Sequence, residues 1–277
     1  MNAVHKWRQR SAAVDSLLCV GLDSDLERLP ERFRRTRRPQ YAFNQWMIEQ
    51  THAVASAYKL NTAFYEARGA QGWHELALTL AALRRQHPEI LTIIDAKRAD
   101  IGSSNAGYVR AFFDELGADA LTLHPYLGRE ALQPFLDRAE KGCIILCRTS
   151  NPGAGEFQDA LVEGKPLWRR VAERVAGDWN TQGNCMLVVG ATYPAELATV
   201  RGIVGEMPLL VPGIGAQGGD LGQVLAGGLD EQSGGLVLNA SRAILWAGDP
   251  AQAAQTLSAQ INAGRSAAQP PKQPNAE

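Results

Sequence analysis

The chain has 277 residues, with 28 Lys and Arg against 29 Asp and Glu, a formal net charge of −1 and 45% hydrophobic residues. That length suits one barrel-sized domain or two smaller ones, the near-zero charge argues against nucleic acid or an anionic membrane surface as partner, and no apolar run approaches the ~20 residues of a membrane helix. Cys19, Cys143, Cys147 and Cys185 are scattered without a C-x-x-C pair, which excludes a disulfide framework, and the basic, polar N-terminus lacks a signal-peptide core. A cytoplasmic protein is expected.

Residues 1 to 15 are polar and read as a lead-in helix. Ser16 to Leu22 is a compact apolar run closing on Asp23, a buried strand. The connection from 24 to 40 carries Arg32, Arg34, Arg35, Arg37 and Arg38, which reads as a solvated face. Phe43, Met47 and Val54 stand at helical spacing, and Tyr58 to Asn61 reads as a short strand. Leu76, Leu80 and Leu83 at i, i+4, i+7 mark an amphipathic helix ended by His87-Pro88. The apolar run Leu91 to Ile94 then leads into Asp95-Ala96-Lys97-Arg98-Ala99-Asp100. After it, Ser103 or Ser104 is expected to cap a helix with the face Val109, Phe112, Phe113 and Leu116, closed by Gly117.

The same strand-then-helix sentence repeats. Strands are expected at Ala120–Leu123, Cys143–Cys147, Met186–Val189, Leu209–Val211 and Leu236–Leu238, each followed by a mostly helical connection. Cys19, Cys143 and Cys147 fall within these buried strands, where cysteine behaves as a small hydrophobe. Eight strand-helix units in about 250 residues predict a parallel sheet closed into a single (β/α)8 TIM barrel over residues 1–264. An open doubly wound sheet would show a G-x-G-x-x-G turn after its first strand, and Gly21-Leu22-Asp23 stands there instead. Residues 265–277, rich in Pro, Ala, Gln and Asn, are expected to be a disordered tail.

Parallel barrels place their chemistry at the carboxyl ends of the strands, and loops seven and eight commonly hold a phosphate. Strand seven runs into Pro212-Gly213-Ile214-Gly215-Ala216-Gln217-Gly218-Gly219, whose backbone N–H groups can approach an anion closely, and strand eight ends at Arg242. A phosphorylated ligand follows. Side chains alternate along a strand, so Asp95 and Lys97 are expected on one face, with Asp100 in the turn beyond. Alone, D-x-K-x-x-D is more often a structural ion pair. In a barrel mouth with Asp23 and Lys59 it forms an alternating charged network. A lysine held among carboxylates stays protonated and can act as a general acid, while the same acids could instead hold Mg2+. These residues alone leave both open.

The separated motifs Lys59, Asp95-x-Lys97-x-x-Asp100-Ile101-Gly102, Pro212 to Gly219 and Ser241-Arg242 together resemble the orotidine 5′-phosphate decarboxylase family, over roughly residues 16 to 245. The longer connections resemble its bacterial type 2 branch. The resemblance implies cofactor-free, metal-free decarboxylation of orotidine 5′-monophosphate to UMP in de novo pyrimidine synthesis, by a homodimer. Lys59, Asp95, Lys97 and Asp100 match the family's charged tetrad. The resemblance makes Lys97 the proton donor to C6, sets Asp95 against the substrate carboxylate and lends Asp100 to the partner subunit's site. Asp23 and Lys59 match ribose contacts, Ser150 matches the pyrimidine contact, and Gln217 and Arg242 match the phosphate grip, with Pro212 and Gly218 of the same loop among the substrate contacts. The family often has threonine where this chain has Ser104, whose hydroxyl could still reach a ribose. Two rival readings are a metal-dependent sugar-phosphate lyase on the same barrel and a catalytically silent protein that binds a phosphorylated ligand.

Overall fold

The computed structural model describes residues 2–214 and 219–268. Eight parallel strands follow one another around a closed barrel: β1 (Leu18–Gly21), β2 (Ala57–Asn61), β3 (Leu91–Arg98), β4 (Ala120–Leu123), β5 (Gly142–Arg148), β6 (Cys185–Val189), β7 (Leu209–Pro212) and β8 (Leu236–Ala240). β1 closes the ring, with Cys19 opposite Ala57 of β2 on one side and Asn239 of β8 on the other. Strands covered on both faces read as unbroken apolar runs rather than alternating ones. That is why β1, β4 and β6 are buried at every position. The expected (β/α)8 barrel is therefore the fold, and each expected strand matches one of the eight to within two residues, except that β3 continues from Ile94 to Arg98. All four cysteines are buried free thiols.

The helices lie outside this ring and bury one stripe each. Leu76, Leu80 and Leu83 of the helix Gly69–Gln86 are fully buried, as are Leu132 and Phe135 of Gly128–Leu136. The helix after β3 runs Gly102–Val109 and continues as a wider π turn over Arg110–Glu115, burying Val109, Phe112 and Phe113. Neither Ser103 nor Ser104 caps it. The Asn105 side chain does the bracing instead, accepting from Asp100 N at 2.8 Å and donating to the Asp100 and Ala131 carbonyls.

The lead-in helix Ala3–Ala13 crosses the amino-terminal end of the barrel. Ala3 N bonds Glu140 O, Lys6 pairs with Asp119, and Trp7 donates to Ser56, each partner lying just before a strand. This plug leaves the opposite, carboxyl end open for chemistry. The final helix, Pro250–Ala268, runs four residues past the boundary expected at 264, and Arg265 pairs with Asp15. Residues 269–277 of the expected tail lie outside the described residues. Among the described residues no helix is long and apolar enough to cross a membrane.

Candidate active site

At the carboxyl end of the barrel, the loops after β1 and β2 are tied together first. Leu22 N bonds Lys59 O at 2.8 Å, and the Asp23 carboxylate accepts from Asn61 N at 3.2 Å. Lys59 points inward from β2 and is 4% exposed. Its ammonium donates to Asp95 Oδ2 at 2.9 Å and stands 4.0 Å from Asp23 Oδ1. Lys97 donates to the other Asp95 oxygen, Oδ1, at 2.6 Å. The order Asp23, Lys59, Asp95, Lys97 is thus an alternating line of charge running across three neighbouring strand ends.

The energetics of the line follow from its burial. Burial alone would raise the Asp95 pKa, but Lys59 and Lys97 outweigh it and hold the carboxyl well below the usual carboxylate range. Burial would likewise lower the Lys59 pKa, and Asp23 with Asp95 overcomes it, holding the amine above its ordinary value. Asp95 is therefore a carboxylate and Lys59 an ammonium across the physiological range.

Asp95 and Lys97 do share a face, but regular strand alternation is not the reason. The β3–β4 ladder pairs Ile94 with Leu121 and Arg98 with Leu123, so Asp95, Ala96 and Lys97 together face the single residue Thr122. Lys97 adopts φ +50° within this bulge, a left-handed conformation uncommon for a non-glycine residue. Arg98 braces the far side by pairing with Glu66 and donating to Ala96 O at 2.7 Å.

Two lobes of one cleft meet at Lys59, Asp95 and Pro212. The first, a cavity of about 470 Å3, is lined by Asp23, Asn61, Asn239, Ser241 and Arg242, with Arg28 at its edge. The Arg28 guanidinium lies 4.6 Å from the Trp246 ring centroid, and Trp246 stacks on Phe43 in turn. Two arginines on one polar cavity suit a phosphate. Gly21 ends β1 because a Cβ there would stand 1.9 Å from Ser241 Oγ, the residue that leads into Arg242. The second lobe, about 490 Å3, is lined by Lys97, Thr122, Ser150 and Gln158 and by the apolar Leu146, Val188 and Leu210. Gln158 grips both the N–H and the hydroxyl of Thr149, at 2.9 and 2.8 Å, and buried Arg148 contacts Asp159 at 3.1 Å. These contacts fix the start of the β5 loop and so place Ser150.

The expected site residues divide by position. Asp23, Lys59, Asp95, Lys97, Ser150, Pro212 and Arg242 line the cleft. Asp100 and Ser104 line neither lobe of their own chain. Ser104 is exposed, and Asp100 has no ion-pair partner in its own chain among the described residues. Gln217 and Gly218 lie outside the described residues. Sequence reading missed Thr122, Asn61, Asn239 and Arg28. Arg28 falls in an arginine-rich connection and carries no motif, so only the fold brings it to the cleft. Among the described residues no cluster of three His, Cys, Asp or Glu is set to hold a metal ion. Both Asp95 oxygens are already engaged by ammonium groups, which leaves that carboxylate ill-suited to one.

Residues 16–257 match the family model described as orotidine 5′-phosphate decarboxylase / HUMPS family. The chain belongs to this family. A protein of Herpetosiphon aurantiacus named orotidine 5′-phosphate decarboxylase is 51% identical over 245 residues, 88% of this chain and 89% of that one. One of the same name from Cellvibrio japonicus is 43% identical over 96% of this chain and the whole of its own length. Among solved structures, Leishmania donovani OMP decarboxylase superposes with a TM-score of 0.86 at 38% identity, covering 96% of this chain and 99% of its own.

Proposed function

We propose that the chain decarboxylates orotidine 5′-monophosphate to UMP and carbon dioxide without metal or cofactor, in pyrimidine synthesis in the cytoplasm, with Lys97 as the proton donor. The observation that carries this reading is the Lys59–Asp95–Lys97 line at the junction of a two-arginine lobe and a more apolar lobe. The phosphate and ribose occupy the first lobe, and the pyrimidine lies in the second beside Ser150. Gln217 and Gly218 complete the phosphate grip. Loss of carbon dioxide breaks the C6–carboxylate bond and leaves its electron pair at C6. The Lys97 ammonium delivers a proton there, yielding UMP, and the amine regains its proton from solvent.

Magnitude decides how the work is divided. The hardest enzyme reactions need ~20 kcal/mol or more of barrier reduction. One ammonium about 4 Å from a developing carbanion supplies only roughly 4 kcal/mol at an effective dielectric of 20. The remainder comes from the phosphate and ribose contacts, whose binding energy holds the substrate carboxylate against Asp95.

The enzyme works as a dimer in this reading. Ile101 is 62% exposed and Tyr126 is 87% exposed, on neighbouring loops after β3 and β4, with Asp100 beside them. Covering this apolar rim with a second copy would lead Asp100 and the Ser104 hydroxyl toward the partner subunit's ribose.

The test is the ultraviolet spectrum of orotidine 5′-monophosphate incubated with the purified protein before and after exhaustive chelation. Loss of the orotate band in both samples supports the reading. Activity abolished by chelation and restored by Mg2+ would replace it with a metal-dependent lyase. Binding without any spectral change would make the chain a silent nucleotide-binding protein.

A further inference from the structure

The proposed reaction assigns no role to the Thr122 hydroxyl, although it is buried and bonds both Lys97 and Asp95. Thr122 lies on β4, is 1% exposed, and lines the second lobe beside Lys97. Its Oγ1 accepts from Lys97 N at 2.9 Å and donates to Asp95 Oδ1 at 3.0 Å. That same Oδ1 receives the Lys97 ammonium at 2.6 Å. One hydroxyl therefore holds both the backbone of Lys97 and the carboxylate that holds its side chain.

The β3 bulge explains why a hydroxyl is needed. In a regular ladder an N–H that faces the next strand meets one of its backbone carbonyls. Three residues face Thr122 alone, so the Lys97 N–H is out of step with the β4 backbone and is satisfied by a side chain instead. The left-handed φ of Lys97 is unfavourable and persists only where surrounding contacts over-determine it. Accepting from the N–H leaves the hydroxyl its single proton, which goes to Asp95.

We propose that the Thr122 hydroxyl is a positioning residue that locks the bulge and aims the Lys97 ammonium, acting through Asp95 and the Lys97 backbone without itself touching the substrate's reacting atoms. The proposal rests on Lys97 as proton donor. Thr122→Val keeps the β-branched shape and removes both hydrogen bonds, while Thr122→Ser keeps the hydroxyl and drops only the methyl group.

The experiment measures kcat and KM for orotidine 5′-monophosphate, together with UMP affinity by calorimetry, for the parent, Thr122→Val, Thr122→Ser and Lys97→Ala. A shift of about 1 Å in a reacting group can cost on the order of 100-fold in rate. Thr122→Val is expected to lose kcat on that order with KM and UMP affinity within a few-fold of the parent, and Thr122→Ser to stay within a few-fold on all counts. Parental kcat in Thr122→Val overturns the proposal. So does a loss in Thr122→Ser as large as that expected of the valine variant while UMP still binds, an outcome readable even if Thr122→Val fails to fold. Substantial turnover by Lys97→Ala sinks the donor reading itself, and is told apart because it does not depend on any change at position 122.

Discussion

Lys59 donates to Asp95 at 2.9 Å from a side chain almost wholly out of solvent, so this ion pair is part of the barrel's interior as well as its site. Removing one member of a buried pair strands the other charge, at a cost of about 3–5 kcal/mol. Lys97 still reaches Asp95 in a Lys59→Ala variant, which argues for the lower end. A loss of about 3 kcal/mol in urea unfolding is expected, along with loss of turnover. Unchanged stability would mean that the pair is solvated in solution.

The same pair sets a pH dependence with a definite sign. The Asp95 pKa is depressed in the fold, so its contribution to stability is present above the unfolded value near 3.8 and is lost as pH falls from there through the folded pKa. The Lys59 pKa is raised, so its contribution is complete below the unfolded value of 10.5 and is lost as pH rises beyond it through the folded pKa. Between these limits the pair adds no slope. Unfolding midpoints of parent and Asp95→Asn, followed from pH 7 down to pH 2.5, should show a less steep acid loss in the variant. Parallel acid limbs would remove Asp95 as the group responsible.

Much of this architecture is legible in the residues because a buried parallel barrel strand is an unbroken apolar run, and the chain repeats such a run, followed by a mostly helical connection, eight times. Asp23, Lys59 and Asp95 sit where such strands end, which is why spacing alone finds them. The β3 bulge is not legible. Asp95 and Lys97 fit strict alternation equally well, and nothing in Ala120-Leu121-Thr122-Leu123 marks Thr122 off from an ordinary β-branched strand residue. Residue preference assigns the cap after β3 to serine, whereas Asn105 reaches back over five residues to Asp100. The two-stranded hairpin of Leu161–Val162 and Lys165–Pro166 also escapes sequence reading. Its turn uses Glu163 and Gly164, both at positive φ, where asparagine or aspartate before glycine is the usual signal.

Arg242 tests whether phosphate binding and chemistry are coupled. A hydrogen bond to a charged group is worth about 1.5–3 kcal/mol, so Arg242→Ala should lose about 10- to 100-fold in kcat/KM for orotidine 5′-monophosphate. If the phosphate contacts are used to hold the substrate carboxylate against Asp95, kcat falls as well as affinity. Orotidine, which lacks the phosphate, should be turned over equally by variant and parent. Arg28→Ala should show the same pattern with a smaller amplitude, since Arg28 is exposed and held to the cleft by stacking on Trp246. Equal losses on both substrates would place either arginine outside the phosphate site.

The sharing of Asp100 between subunits can be tested by mixing two inactive chains. In the proposed reading Lys97→Ala removes the donor from its own site, and Asp100→Ala removes the carboxylate that a chain would lend to its partner. Each variant alone should be inactive. After co-refolding in equal amounts, half of the two-fold dimers are mixed. In a mixed dimer, the site on the Lys97→Ala chain lacks its donor and faces a partner without Asp100, so it is doubly impaired. The other site has both its own Lys97 and a partner's Asp100. About a quarter of all sites should therefore regain activity, by random pairing into two-fold dimers. If each chain instead uses its own Asp100, the mixture stays as inactive as its components. The ultraviolet assay on orotidine 5′-monophosphate distinguishes these results without any structural probe, and titrating the ratio of the two chains away from equality should lower the recovered activity symmetrically.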